Sequence, residues 1–454
     1  MKIRRLYLIV LLIASLTLLR SASLNAQSSI GGTWGNEPDK LITLWMLRGD
    51  LRLPVDSVRT GPEGQFVLTP KWNIPPGMYL LEDESSEPVR LILGGGDVKL
   101  EKNGTLRFLY SPDNIAWKDW VRVRTTFVQK QAALEALVEA YADDGKFRKA
   151  AIKELTKLRR DFIKTAANIK NRPGAAIAAT FITADLPPMF PIGLSPSGKA
   201  ESQKNYLLQM LGTADTMLIQ SDMLPGRILD YLTLHQNRNM NRQQLEEAFV
   251  GAIDQLMKAS ASDNKRYLFY LEFLFEGFQR LGFYQLTDYL SSLPHFNAVT
   301  ASIDELFEIE RIIGPYHNIL RGQDAPPIIG LDMHGNTFNL NDIQAEKILV
   351  VFWSEDCPHC TRLIPELKQI VDAQNSMYVV SIILGSDSPS LRDYIDKADV
   401  SGWTHLIEAN FWQSELVEDF GVYGTPSMFL LDSEKRIIAR PNTADELRNA
   451  LGMP

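Results

Sequence analysis

The stretch Ile348-Leu349-Val350-Val351-Phe352-Trp353-Ser354-Glu355-Asp356-Cys357-Pro358-His359-Cys360 runs six consecutive apolar residues into the chain's two cysteines. An apolar run of this length bounded by charge reads as a strand buried on both faces. Residues 361–373 then take up helical spacing, and Pro358 suits a first helical position. Working outward, the sequence predicts a strand over 378–384, a helix over 390–397, a strand over 404–407 and a short helix over 414–420. Strands over 428–431 and 436–439 flank a turn at 432–435, and a helix over 445–451 follows. Strand–helix alternation of this kind implies an α/β domain over 321–454, a central sheet flanked by helices.

The chemistry belongs to the junction of that first strand and its helix. Two cysteines two residues apart at a helix start can close a strained local disulfide. The first sulfur then meets the helix dipole and the free N–H groups, which favour thiolate. Cys357 is therefore expected to attack disulfides through a mixed intermediate that Cys360 resolves. His359 is expected to give a hydrogen bond or positive charge to the Cys357 thiolate, and Pro358 to keep the turn tight. No bound cofactor and no metal is needed for this exchange.

Earlier parts of the chain differ in character. Residues 27–112 hold short alternating runs over 41–46, 64–68, 78–81 and 89–93, punctuated by Pro75-Pro76-Gly77, Gly94-Gly95-Gly96 and Asn103-Gly104, which predicts a small all-β domain. The triple glycine has no Lys-Ser/Thr after it and reads as a turn. Residues 113–320 carry apolar residues at helical spacing, predicting a mostly α-helical domain with helices near 117–141, 147–169, 200–212, 240–260, 264–281 and 301–313. The basic run Lys153, Lys157, Arg159, Arg160 and Lys164 is interleaved with acids and reads as a solvated face. The aromatic series from Tyr267 to Tyr284 reads as bundle core.

Residues 1–26 have the pattern of a secretory signal peptide. Lys2, Arg4 and Arg5 precede an apolar stretch over 6–19, and the expected cut follows Ala26. The alternative is a retained anchor, against which the shortness of the stretch and Arg20 argue. With no cysteine near the cut, lipid attachment through cysteine is excluded. The sequence thus places the mature protein in the periplasm or extracytoplasmic envelope, without stable membrane insertion. Loss of the leader, with four basic residues and no acid, moves the formal charge from −8 to −12. An acidic surface repels phosphate backbones, so nucleic acid is not an expected partner.

Val351-Phe352-Trp353-x-x-x-Cys357-Pro358-His359-Cys360, Pro365 inside the helix and Gly424-Thr425-Pro426 before a strand together resemble the thioredoxin superfamily. The segment from Pro326 to Gly335 and the extra helix–strand unit at about 388–408 resemble its TlpA-like extracytoplasmic branch. The likeness covers roughly the last third of the chain. It implies that Pro426 is the cis-proline facing the disulfide, that Thr425 and Trp353 help to hold substrate, and that electrons come from a membrane thiol carrier. The chain also departs from the pattern: Val351 and Leu363 stand where relatives place an acid that takes the resolving thiol's proton, leaving Glu355 or Asp356 as substitutes.

Other readings of the cysteine pair are weaker. Half a zinc site would need two of His235, His295, His317, His334 and His405, and none has close ligand spacing. A structural disulfide closing so short a loop restrains the unfolded chain little. A peroxiredoxin-type thiol peroxidase is the enzymatic rival, since Ser354 lies three residues before Cys357. A client-binding envelope protein with a minor redox role is the non-enzymatic one. The expected function is a thiol–disulfide oxidoreductase of exported proteins bearing thiols or disulfides, acting as reductase or isomerase.

Overall fold

A computed structural model describes residues 29–70, 74–83, 86–94, 96–293, 302–374, 377–422 and 424–453. The expected leader lies outside the described residues. The chain forms two compact units, Met1–His235 and Gln236–Pro454.

The first unit opens with β1 (Ile30–Trp34), β2 (Leu41–Arg48), β3 (Leu51–Arg59), β4 (Gln65–Leu68), β5 (Gly77–Glu82), β6 (Val89–Leu93), β7 (Val98–Asn103) and β8 (Thr105–Tyr110). They make two four-stranded sheets, ordered β4-β1-β7-β8 and β3-β2-β5-β6. Side chains alternate along each strand, so Ile42, Leu44, Tyr79, Leu81, Leu91 and Leu93 of one sheet meet Ile30, Trp34, Phe66, Leu68, Val98 and Leu100 of the other in one core. Strand β3 carries Arg52, Pro54 and Asp56 and is mostly exposed, which is why its apolar pattern is faint. It is an edge strand held by its pairing with β2. Asn103-Gly104 forms the tight β7–β8 turn, with Gly104 at φ 70.

Helices α1 (Pro112–Ala140), α2 (Gly145–Lys170), α3 (Ala176–Ala184), α4 (Pro196–Gly212) and α5 (Met223–Thr233) follow. Ser111 caps α1, with Pro112 in its first turn. Buried Asn114 accepts from the Ile92 N–H and donates to the Ile92 carbonyl, both at 2.8 Å, tying α1 to β6. Phe127 stacks on Phe162 at 3.8 Å to join α1 to α2. Of the basic run on α2, Arg159 is partly buried against Glu135 at 2.9 Å, while the others are exposed or solvent-facing as expected.

The second unit begins with α6 (Arg242–Ser260), α7 (Asn264–Arg280), α8 (Tyr284–Ser292) and α9 (Ile303–Ile313). Tyr267, Phe269, Tyr270, Phe275 and Phe278 of α7 are buried, a core as their spacing implied. These helices share their compact unit with the C-terminal sheet. Arg242 pairs with Glu446 at 3.1 Å, Asn442 donates to the Gly282 carbonyl at 2.7 Å, and the Arg440 guanidinium lies 3.6 Å from the centre of the Tyr284 ring.

The remaining elements are β9 (Ile329–Leu331), β10 (Thr337–Asn339), β11 (Lys347–Trp353), α10 (Pro358–Asp372), β12 (Met377–Leu384), α11 (Pro389–Lys397), β13 (Thr404–Glu408), α12 (Glu415–Asp419), β14 (Ser427–Asp432), β15 (Ile437–Ala439) and α13 (Ala444–Ala450). They follow the predicted order closely. The five-stranded sheet is ordered β13-β12-β11-β14-β15. Strands β11, β12 and β13 are parallel; β14 runs antiparallel to β11 and to β15. Alternation splits β11 between two cores. Ile348, Val350 and Phe352 face Ile319, Val417 and Phe420, and Leu349, Val351 and Trp353 face α10, α11 and α13. Both faces of β11 are thus covered, which explains its unbroken apolar run.

Candidate functional site

Cys357 occupies the N-cap of α10 and Pro358 its first turn. The N-cap leaves the first helical N–H groups unpaired, and here sulfur takes the place of the usual capping oxygen. The Cys360 N–H donates to the Cys357 sulfur at 3.4 Å, and the same sulfur lies 3.4 Å from the Thr425 carbonyl oxygen. The Thr425–Pro426 peptide is cis. Strand β14 starts one residue later beside β11, and this pairing brings a loop nearly seventy residues downstream against the first sulfur.

The two thiols differ in environment. Both are free; Cys357 is half-buried and Cys360 is fully buried. Burial pushes the Cys357 thiol up, but hydrogen bonds from the Cys360 thiol, the Cys360 N–H, the Thr425 side chain and the His359 N–H outweigh it and hold Cys357 below the usual thiol value. Burial and the neighbouring Cys357 sulfur push Cys360 up to about 12. The half-buried thiol is thus the more readily ionised of the two.

Two expected roles need correction. The His359 ring is exposed and does not sit on the sulfur: its Nδ1 lies 2.9 Å from the Arg362 guanidinium, three residues along the helix. Arginine only donates, so Nδ1 is the acceptor there. The residue's contribution to the thiolate comes from its backbone N–H. Trp353 cannot hold substrate either. It is fully buried at the end of β11, with its indole N–H donating to Ser381 Oγ at 2.7 Å, because strand alternation aims it at α10 and α11 rather than outward. Thr425 and Pro426 are partly exposed beside Cys357, where a substrate backbone can reach them.

The substitutes for the missing acid are also placed. Asp356 is exposed. Glu355 accepts from Ser388 Oγ at 3.0 Å and Ser390 Oγ at 3.1 Å, so its carboxylate is spent on the N-terminus of α11. Leu363 and Val351 lie in the core next to Cys360. Tyr394 of α11, which the sequence reading did not single out, donates to the Thr361 carbonyl at 2.8 Å and packs on Trp353 with ring centres 5.5 Å apart. Burial and then the nearby Cys360 raise its phenol to about 12. Ser381 was legible only as a lone hydroxyl in an apolar strand. Among the described residues no group of three His, Cys, Asp or Glu side chains is placed to hold a metal ion.

Residues 320–451 match the family model described as Redoxin. The thiol-disulfide oxidoreductase ResA of Bacillus thuringiensis subsp. konkukian is 21% identical over 119 residues, which are 26% of this chain and 66% of that protein. The chain thus spans just under two thirds of the length of the curated relatives it matches. Among solved structures, the thioredoxin domain of a thiol-disulfide oxidoreductase from Bacteroides vulgatus is 25% identical, covering 29% of this chain and 95% of that one, with a TM-score of 0.27. A thioredoxin-like protein from Bacteroides caccae is 17% identical, covering 59% of this chain and 97% of that one, with a TM-score of 0.35.

Proposed function

We propose that this protein, whose C-terminal domain belongs to the thioredoxin superfamily and is of its TlpA- and ResA-like kind, is an extracytoplasmic thiol–disulfide oxidoreductase that reduces or isomerises the disulfides of exported proteins. The observation that carries this reading is the unequal pair: a low-pKa Cys357 on a helix N-cap against the Thr425–Pro426 loop, with a buried, high-pKa Cys360 one turn behind it.

The chemistry follows from that inequality. The Cys357 thiolate attacks one sulfur of a client disulfide; a mixed disulfide forms and the other client sulfur leaves as thiolate. Cys360 then loses its proton and attacks Cys357. The client departs with two thiols, reduced by two electrons, and the Cys357–Cys360 disulfide is left. A thiol donor must return the two electrons, and a membrane thiol carrier is the proposed source. The leader-like residues 1–26 support an address outside the cytoplasm. In isomerisation the client attacks its own mixed disulfide and no net electrons move.

The test is a trap. In Cys360→Ser, mixed disulfides through Cys357 accumulate with exported proteins and are released by dithiothreitol. If they form instead in Cys357→Ser, the two roles are reversed, and if they form in neither, the oxidoreductase reading fails.

A further inference from the structure

Strands β11, β12 and β13 run parallel, so their C-terminal ends at Trp353, Leu384 and Glu408 form one rim of the sheet. Cys357 lies just beyond the first end, and the turn Phe411–Gln413 just beyond the third. Two strand spacings of about 4.8 Å separate the ends of β11 and β13 by about 10 Å across the rim. The turn shows solvent two aromatic side chains, Phe411 at 44% and Trp412 at 51% exposure. Phe411 has φ 51, a left-handed conformation that bulky residues rarely adopt. Strand β9 extends the patch. Asp332 bridges Leu406 in antiparallel sense and the Met333 N–H donates to the His405 carbonyl at 2.8 Å, so β9 lies along the β13 edge of the sheet with Leu331 and Ile329 on it. They are 61% and 73% exposed, while Gly330 between them turns toward Leu406.

We propose that this apolar corner is the client-docking surface of the redox site, and that it takes an extended segment bearing aromatic or aliphatic side chains three to five residues from the reacting cysteine. The inference rests on the oxidoreductase reading above. An extended chain advances about 3.3 Å per residue, so a client held at Cys357 spans the separation of the β11 and β13 ends in about three residues and the edge beyond it in about five. Once the client is tethered, even a weak apolar contact acts at high effective concentration. Four part-covered side chains expose less than the roughly 800 Å² a side that a stable dimer buries, which favours a peptide segment over a second copy.

The experiment uses the full chain with dithiothreitol as reductant and two peptide disulfides that differ only at three to five residues from the cysteine, Leu and Phe in one, Ser and Gly in the other. The expected kcat/KM ratio favours the apolar peptide about tenfold, the order that burial of aromatic anchors supplies. Phe411→Asn with Trp412→Ser brings the ratio to about one; Asn tolerates the left-handed turn. Ile329→Ser with Leu331→Ser gives a second reading of the ratio should the first variant misfold. Titration of the S-methylated peptides shows the same preference as binding. Equal kcat/KM for the two peptides, a preference that survives both variants, or a dimer that the substitutions dissociate overturns the docking surface. If neither peptide is turned over, the oxidoreductase reading fails, and the titration still decides docking: preference sustains it and equal binding overturns it.

Discussion

At Cys357 burial is opposed by hydrogen bonds, first from the Cys360 thiol and then from the Cys360 N–H, the Thr425 side chain and the His359 N–H. Partial burial works against the thiolate, and hydrogen bonds offered by the first turn of α10 and by Thr425 outweigh it. Any residue but proline at position 359 supplies its N–H, and the His359 ring is turned to Arg362. His359→Ala is therefore expected to move the thiolate titration, followed by its ultraviolet absorbance, by well under one pH unit, about 1.4 kcal/mol. A larger upward shift would restore the ring to the sulfur. The unequal pair also sets a pH dependence. Iodoacetamide should label Cys357 at lower pH than an ordinary thiol, with Cys360 silent until far more alkaline solution. The stability linkage has two signs. The folded Cys357 pKa is depressed, so its contribution to the reduced protein is present above the unfolded pKa and lost as pH falls through the folded one. The folded Cys360 pKa is raised, so its contribution is present below the unfolded pKa and lost as pH climbs from there toward about 12. Urea midpoints of reduced wild type relative to a Cys357→Ser, Cys360→Ser variant should rise toward about pH 8.5 and fall beyond it; a flat difference would refute the assignment.

At the scale of elements, α11 grips the redox motif from both sides. Glu355, two residues before Cys357, binds Ser388 and Ser390 at its N-terminus, and Tyr394 holds the Thr361 carbonyl just after Cys360. Ser388 is also the helix's own N-cap, so its hydroxyl serves α11 and the thiol loop together. Each single neutral hydrogen bond contributes about 1 kcal/mol, and bonds to a charged group about 1.5–3 kcal/mol. Tyr394→Phe should therefore lower the unfolding free energy by about 1 kcal/mol, and Glu355→Ala by about 1–2 kcal/mol after allowance for its partial exposure. Denaturant titration of the reduced protein measures both. An effect of Glu355→Ala below that of Tyr394→Phe would mean that the carboxylate's bonds contribute little in solution. The unit at 388–408 was recognisable in the sequence as an insertion. Its attachment was not, because Glu355 with Ser388 and Ser390 is a pairing more than thirty residues apart.

For the whole molecule, composition suggested a linker near 315–330 and a separate domain after 320. The Redoxin match begins at residue 320, and the compact unit that contains it starts at Gln236. Ile319 is fully buried in the core on the Phe352 face of the sheet, with Tyr316 packed beside it. Phe275 lies 5.0 Å from Tyr316, ring centre to ring centre, and Arg440 after β15 lies over Tyr284 of α8. A fragment from residue 321 strips one face of β11 and β14 of these partners. It should melt lower than a fragment from residue 236, by about 5 °C for a loss of roughly 2 kcal/mol on the scale of about 2–4 °C per kcal/mol for 150–250 residues. Equal melting temperatures by circular dichroism would show that residues 236–320 add nothing to the stability of the sheet.

By itself the sequence determined the α/β order of the last third, the β and helical character of what precedes it, and the chemistry of the pair at Cys357 and Cys360. Those signals are local: unbroken or alternating apolar runs, helical spacing, a proline after a capping cysteine. Tertiary structure decided the rest. It buried Trp353, because the alternation of β11 points that ring inward once both faces of the strand are covered. It turned His359 toward Arg362, a rotamer choice that spacing leaves open. It joined α6–α9 to the sheet through contacts such as Asn442 to Gly282 and Arg242 to Glu446, pairs separated by more than 150 residues, and no periodicity along the chain records which distant face an apolar stripe will meet.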